Sequence, residues 1–277
     1  MSATVGSALS IQHVGKIYMS REGWTEALDD CSLDIRAGEF SVLVGPSGCG
    51  KTTLLNIVAG FDNLTKGQVS LDRQVIAATG TALQPGPDRL VVFQHGGLFP
   101  WMTVIDNVCY GPTIQGKMSA SEVRDVALNM LTGVGLSDIE NMFPGDLSGG
   151  MRRRVEIIRA LINRPKVLLM DEPFRALDAL TKSVMHEFLL RLYDQEPYTI
   201  FFITHDLIEA IYLGDAVSVM TTRPGRIKCV VDIELARPGS HRELTTPKFL
   251  KYKAQITDAV HAEAVKAFVA GERELAR

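Results

Sequence analysis

Apolar positions along the chain follow two rhythms. Short runs at residues 40–44, 167–170, 199–204, 217–220 and 227–231 are apolar almost throughout and rich in β-branched residues, the pattern of strands buried on both faces. Residues 51–59 read as a helix closed by Gly60, and 119–131 as an amphipathic helix. Residues 95–164 show no strong strand and form a helical block inside an otherwise alternating pattern. Strand followed by helix, repeated, predicts an α/β fold built from crossover units. Residues 8–36 differ. Positions 9–18 alternate as a strand does, as do Leu33 and Ile35, and residues 21–25 interrupt them like a turn. Residues 67–76 and 90–93 are further strand candidates, with a loop by composition at 79–88. Arg223-Pro224-Gly225-Arg226 reads as a hairpin turn, and the tail from Pro247 as charged helix.

Composition narrows the class. With 277 residues, 46% hydrophobic and 22% charged, the chain suits one large globular domain or one domain with an insertion. A net charge of −3 gives no general attraction to nucleic acid. No apolar run approaches the roughly 20 residues that span a bilayer. The opening MSATVGSALS has neither a basic start nor an apolar core, so it does not read as a secretory signal. The expectation is a cytosolic chain that needs a spanning partner to work at a membrane. Cys31, Cys49, Cys109 and Cys229 match no zinc spacing and read as reduced thiols.

Cys49 alone lies in a motif: Gly45-Pro46-Ser47-Gly48-Cys49-Gly50-Lys51-Thr52, with Thr53 following. Between a strand and a helix, such a loop turns backbone N–H groups toward phosphates and adds the positive end of the helix dipole. Lys51 is positioned for the β- and γ-phosphates and Thr52 for Mg²⁺. The same helix N-terminus predicts a lowered Cys49 thiol pKa, and alkylation that blocks nucleotide binding. A second element, residues 167–172, ends an apolar strand in Asp171 and Glu172. Strand-end acids lie where open α/β sheets bind ligands. Asp171 is the candidate metal ligand, through a water, and Glu172 the candidate to polarise an attacking water. A third element, Leu147-Ser148-Gly149-Gly150-Met151, opens a basic helix with a good N-cap and exposed amides. It is a second anion site without a lysine-bearing loop, so one nucleotide is clamped between the two elements, within a chain or across two.

In this order, with Gln94, with Ala176-Leu177-Asp178 and with His205 after the strand at 199–204, the motifs resemble those of the ATP-binding subunits of ABC transporters. The resemblance covers roughly residues 8–235. It implies a P-loop NTPase core with a mostly parallel sheet, an N-terminal antiparallel β subdomain and a helical subdomain inserted at about 95–164. Residues 236–277 would form a helical extension. It implies ATP and Mg²⁺ as cofactors, with Tyr18 stacking on adenine (Trp24 is the weaker candidate). Gln94 would contact Mg²⁺ and the attacking water, and His205 the γ-phosphate. Ser148, Gly149, Gly150 and Met151 would grip ATP on a second copy, and Asp178 would cross the dimer interface. Arg153, Glu156, Ile158 and Arg175 depart from the family pattern. Residues 86–94, 98–104 and 222–227 resemble the nitrate, sulfonate and taurine importer branch. That implies separate permease chains, an extracytoplasmic solute-binding protein and a place on the cytoplasmic membrane face. The stretch 98–104 reads as a permease-docking segment or as packing within the helical part. A soluble ABC ATPase without a transport role is the alternative.

Overall fold

The computed structural model describes residues 6–20, 23–81, 84–116, 118–235 and 244–275. Strands β1 (Leu9–Ser20) and β2 (Gly23–Ile35) form a long hairpin. Then come β3 (Phe40–Val44), helix α1 (Lys51–Ala59), β4 (Lys66–Leu71), β5 (Gln74–Ala78) and β6 (Arg89–Val92). Helices α2 (Val104–Gln115), α3 (Ala120–Gly133) and α4 (Gly149–Leu161) follow without a strand between them. The chain continues through β7 (Val167–Asp171), α5 (Ala179–Gln195), β8 (Thr199–Ile203), α6 (Leu207–Leu213), β9 (Ala216–Met220), β10 (Ile227–Asp232) and α7 (Pro247–Leu275).

Two sheets result. One has the order β10-β9-β3-β8-β7-β6, parallel from β9 to β6, with β10 antiparallel at its edge. The other is antiparallel, β2-β1-β4-β5. Side-chain alternation explains why the parallel strands are apolar throughout. Leu168 and Met170 face one core with Ile200, Phe202 and the helices α2 to α7, whereas Val167 and Leu169 face the other with Phe201 and Ile203. Helix α1 fills that second core beneath the antiparallel sheet, contributing Leu54, Leu55, Ile57 and Val58. The fold therefore brings the carboxyl ends of β3, β7 and β8 to one edge, beside the N-terminus of α1. Among the described residues no helix is long and apolar enough to cross a membrane.

Three local expectations need correction. Residues 67–76 are a hairpin, β4 and β5, turning at Asp72 and Arg73. Both have positive φ, 48° and 67°, as a two-residue type I′ turn requires. Its sequence carries no Asn-Gly or Gly signal. The break expected at 21–25 is narrower, because Trp24 and Thr25 already pair with Met19 and Tyr18; residues 21 and 22 lie outside the described residues. Strand β2 is also much longer than the alternation at Leu33 and Ile35 suggested. Register shifts along its pairing with β1 disrupt the period-2 pattern.

Candidate functional site

The loop after β3 folds around its own lysine. Gly48 and Gly50 have φ of 73° and 104°, conformations that side-chain-bearing residues avoid. The Lys51 ammonium donates to the carbonyls of Gly45 and Pro46 at 2.9 Å each, and the residue is 7% exposed. Cys49 does not behave as its helix-terminal place predicted. Its thiol is buried, and burial pushes its pKa up despite Lys51 Nζ at 3.7 Å. The dipole argument gives the right sign for an accessible thiol, but here desolvation is the larger effect.

Tyr18, Ser47, Gly48, Gly50, Lys51, Thr52, Thr53, Gln94 and Glu172 line a single cleft of about 420 Å³. Asp171 adjoins it, and burial raises its pKa against the lowering influence of the Thr52 hydroxyl and Lys51. Glu172 follows at the strand end with φ of 42°, a left-handed conformation costing on the order of 1–3 kcal/mol for a non-glycine residue. Its amide donates to the Ile203 carbonyl at 2.9 Å, which ties it to the end of β8. Its carboxylate oxygen Oε2 meets Arg175 Nη1 at 3.0 Å and His205 Nδ1 at 3.2 Å. His205 is placed by a buried network. The Thr204 hydroxyl donates to Glu209, His186 Nε2 lies 2.7 Å from the other Glu209 oxygen, and Asp206 caps α6.

At the opposite end of the cleft, the Tyr18 hydroxyl donates to Asp62 at 2.5 Å, and Lys16 Nζ stands 4.7 Å from the ring centroid. Burial and Asp62 together raise the Tyr18 pKa. Trp24 is 68% exposed and does not line the cleft, which separates the two aromatic candidates. The serine-glycine element stands elsewhere. Ser148 accepts from the Met151 amide at 3.3 Å and caps α4, and both Ser148 and Gly149 are exposed. Met151 packs against the core instead of standing with them. Gly150 is buried, and none of Ser148, Gly149, Gly150 and Met151 lines the cleft. Asp178 also lies outside it, capping α5 by accepting from the Leu180 and Thr181 amides at 3.1 and 3.0 Å. The Thr181 hydroxyl and amide hold its carboxyl below the usual range.

The donor set suits a small hard cation. The Thr52 hydroxyl and the Gln94 amide, which line the cleft, and the adjoining Asp171 carboxylate all offer oxygen ligands. Among the described residues no group of three or more His, Cys, Asp or Glu forms a metal cage. A cation held here would therefore share its shell with phosphate and water. Two residues that shape the phosphate loop were given no site role from the sequence. Arg223 Nε donates to the Gly48 carbonyl at 3.2 Å, and Gly225 packs beneath the loop. Both come from a hairpin distant in the chain, where the sequence showed a turn and a branch resemblance but no contact with the loop.

Comparison with known proteins gives a consistent answer. A family model described as ABC transporter matches residues 28–175. The chain is 43% identical over 260 residues to the taurine import ATP-binding protein TauB of Rhizobium johnstonii, covering 92% of this chain and 97% of that one. It is 42% identical over 257 residues to the nitrate import ATP-binding protein NrtD of Synechocystis, covering 90% and 93%. Among solved structures, a dimeric bacterial ABC transporter cassette superposes with a TM-score of 0.71 at 32% identity, over 82% of this chain and 99% of that one. The same cassette in a post-hydrolysis state bound to ADP and phosphate gives a TM-score of 0.68 at 31% identity, with the same coverage.

Proposed function

Because the chain belongs to the ABC transporter family as an ATP-binding subunit, we propose that two copies close around two ATP molecules and that hydrolysis drives import of a small solute. The separation of the two anion sites carries this reading. Lys51, Thr52, Gln94 and Glu172 share one cleft, whereas Ser148 and Gly149 are exposed at a helix N-terminus outside it. On this reading a second copy sets its Ser148 opposite the first copy's phosphate loop, and a related solved cassette is dimeric.

The residues then divide the work. The loop amides and Lys51 bind the β- and γ-phosphates, and Tyr18 stacks on the adenine. When bound with ATP, Mg²⁺ supplies charge at the phosphates, held by Thr52, Asp171 and Gln94. Glu172 orients the attacking water and takes its proton. His205 and the partner's serine-glycine element stabilise charge on the γ-phosphate, which is mainly electrostatic positioning. Asp178 crosses to the partner copy. The solute belongs to the taurine, alkanesulfonate, nitrate, bicarbonate or pyrimidine-precursor range. The subunit works at the cytoplasmic face, against permease chains fed by an extracytoplasmic solute-binding protein. In the 98–104 stretch Val104 is buried in the core whereas Trp101 is 70% exposed, so docking falls to Trp101 and packing to Val104.

Co-purification from the native host tests the transport role. An integral membrane protein should accompany the chain, and its deletion should abolish uptake of one solute in that range. A chain that purifies alone and whose deletion leaves every uptake intact would favour the soluble ATPase. Arg175 offers a finer test. Its exposed ion pair competes with water for Glu172, and such pairs contribute about 0.2–1 kcal/mol. Arg175→Gly should therefore raise basal phosphate release by up to about five-fold, as 1.4 kcal/mol is ten-fold. A fall in turnover would mean that Arg175 stabilises the transferring phosphoryl group instead.

A further inference from the structure

Helix α4 carries a buried ion pair that the functional reading above does not use. Arg153 is 7% exposed and Glu156 9%, and Arg153 Nη1 lies 2.6 Å from Glu156 Oε2. Both side chains also bond to backbone. Arg153 Nη1 donates to the Phe93 carbonyl at 2.7 Å and Nη2 to the Gln94 carbonyl at 2.9 Å. Glu156 Oε1 accepts from the Gly97 amide at 3.0 Å. Residues 93–97 belong to neither helix nor strand, so their backbone groups lack ladder partners, and these two side chains supply them. A β-carbon on Gly96 would stand 3.0 Å from Glu156 Oε1, so the segment lies close against the pair. Buried ion pairs seldom stabilise a fold more than apolar residues of the same size would. What this one adds is geometry: a planar guanidinium fork fixed by a carboxylate and aimed at two successive carbonyls.

We propose that Arg153 and Glu156 are positioning residues that lock the Gln94 segment to α4. This rests on the assignment of Gln94 to the metal and the attacking water. The lock joins the two nucleotide sites. Gln94 lies in the chain's own cleft, and α4 presents Ser148 and Gly149 at its N-terminus for the partner's nucleotide. A shift of Gln94 toward a bound γ-phosphate is thereby passed to the element that grips the other ATP.

A double-mutant cycle on the full-length chain tests this, with steady-state kcat for MgATP and the dissociation constant for MgADP as readouts. Arg153→Gln should lower kcat by about ten- to a hundred-fold, the scale of a catalytic group misplaced by about 1 Å, with MgADP affinity nearly unchanged. Gln94→Ala should do the same. The double variant should be no slower than Gln94→Ala, because Arg153 acts through Gln94. Losses that multiply in the double variant would overturn the proposal and leave the Gln94 assignment standing. Wild-type kcat in Gln94→Ala would overturn that assignment and the proposal with it. If Arg153→Gln does not fold, Arg153→Lys serves in the same cycle, since it keeps the charge beside Glu156 and loses the two-carbonyl fork.

Discussion

Glu172→Gln should reduce steady-state hydrolysis by roughly 10²–10⁴-fold, the contribution of a positioned general base, while ATP binding persists. The substitution is nearly isosteric, so the left-handed backbone at φ 42° and the amide bond to Ile203 are kept. It removes the negative charge that Arg175 and His205 meet at 3.0 and 3.2 Å, and with it the proton acceptor. Lys51 and the loop amides are untouched, so the nucleotide dissociation constant should change little. On the proposed reading ATP closes two copies together and hydrolysis releases them, so the variant should also run as a dimer in MgATP by size-exclusion chromatography. Turnover close to that of the parent would sink the assignment of Glu172 as base.

The expectation about Glu172 was available from sequence because everything it needs is local: an apolar strand, then two acids. The phosphate loop is legible for the same reason, since eight consecutive residues encode both the turn and its ligand groups. Other features are not local. His205 follows Thr204, whose hydroxyl bonds Glu209 on α6, and Glu209 meets His186 of α5 only once the two helices pack together. The Asp72–Arg73 turn takes positive φ at two residues that do not advertise it. Cys49 shows the limit most clearly. Its place at a helix N-terminus is written in the sequence and its depth of burial is not, and burial decides the direction of its pKa. The dimeric arrangement implied by the family is likewise absent from the fold of a single copy, where Ser148 and Gly149 are simply exposed.

Gly225→Ala, outside the phosphate loop, should weaken ATP binding about ten-fold or more through a contact that only the fold creates. A β-carbon there would stand 2.1 Å from the Cys49 carbonyl, 2.7 Å from Met220 Cε and 3.2 Å from the Ala27 carbonyl. The methionine tip can swing aside, but the two carbonyls are backbone. Nor can the hairpin withdraw freely. The Gly225 amide donates to Ala27 at 2.9 Å, and its carbonyl accepts from the Asp29 amide at 3.0 Å and the Cys31 thiol at 3.1 Å. Arg223, two residues earlier, fastens the same hairpin to the Gly48 carbonyl across 175 positions of sequence. The added methyl must therefore displace the phosphate loop or tear the hairpin from β2. Overpacking of this kind costs about 1–3 kcal/mol, or more where backbone meets backbone. At about 1.4 kcal/mol per ten-fold, the middle of that range taken from the loop geometry weakens ATP binding by about ten-fold or more. Gly133→Ala is the matched control. It lies at the end of α3 with open space around the added carbon, and alanine there should leave binding unchanged and stability equal or slightly higher. Calorimetric titration with MgATP and thermal unfolding of both variants decide the matter. A Gly225→Ala chain that binds and melts like the parent would mean that the loop yields without loss, and that the distant hairpin does not shape the phosphate site.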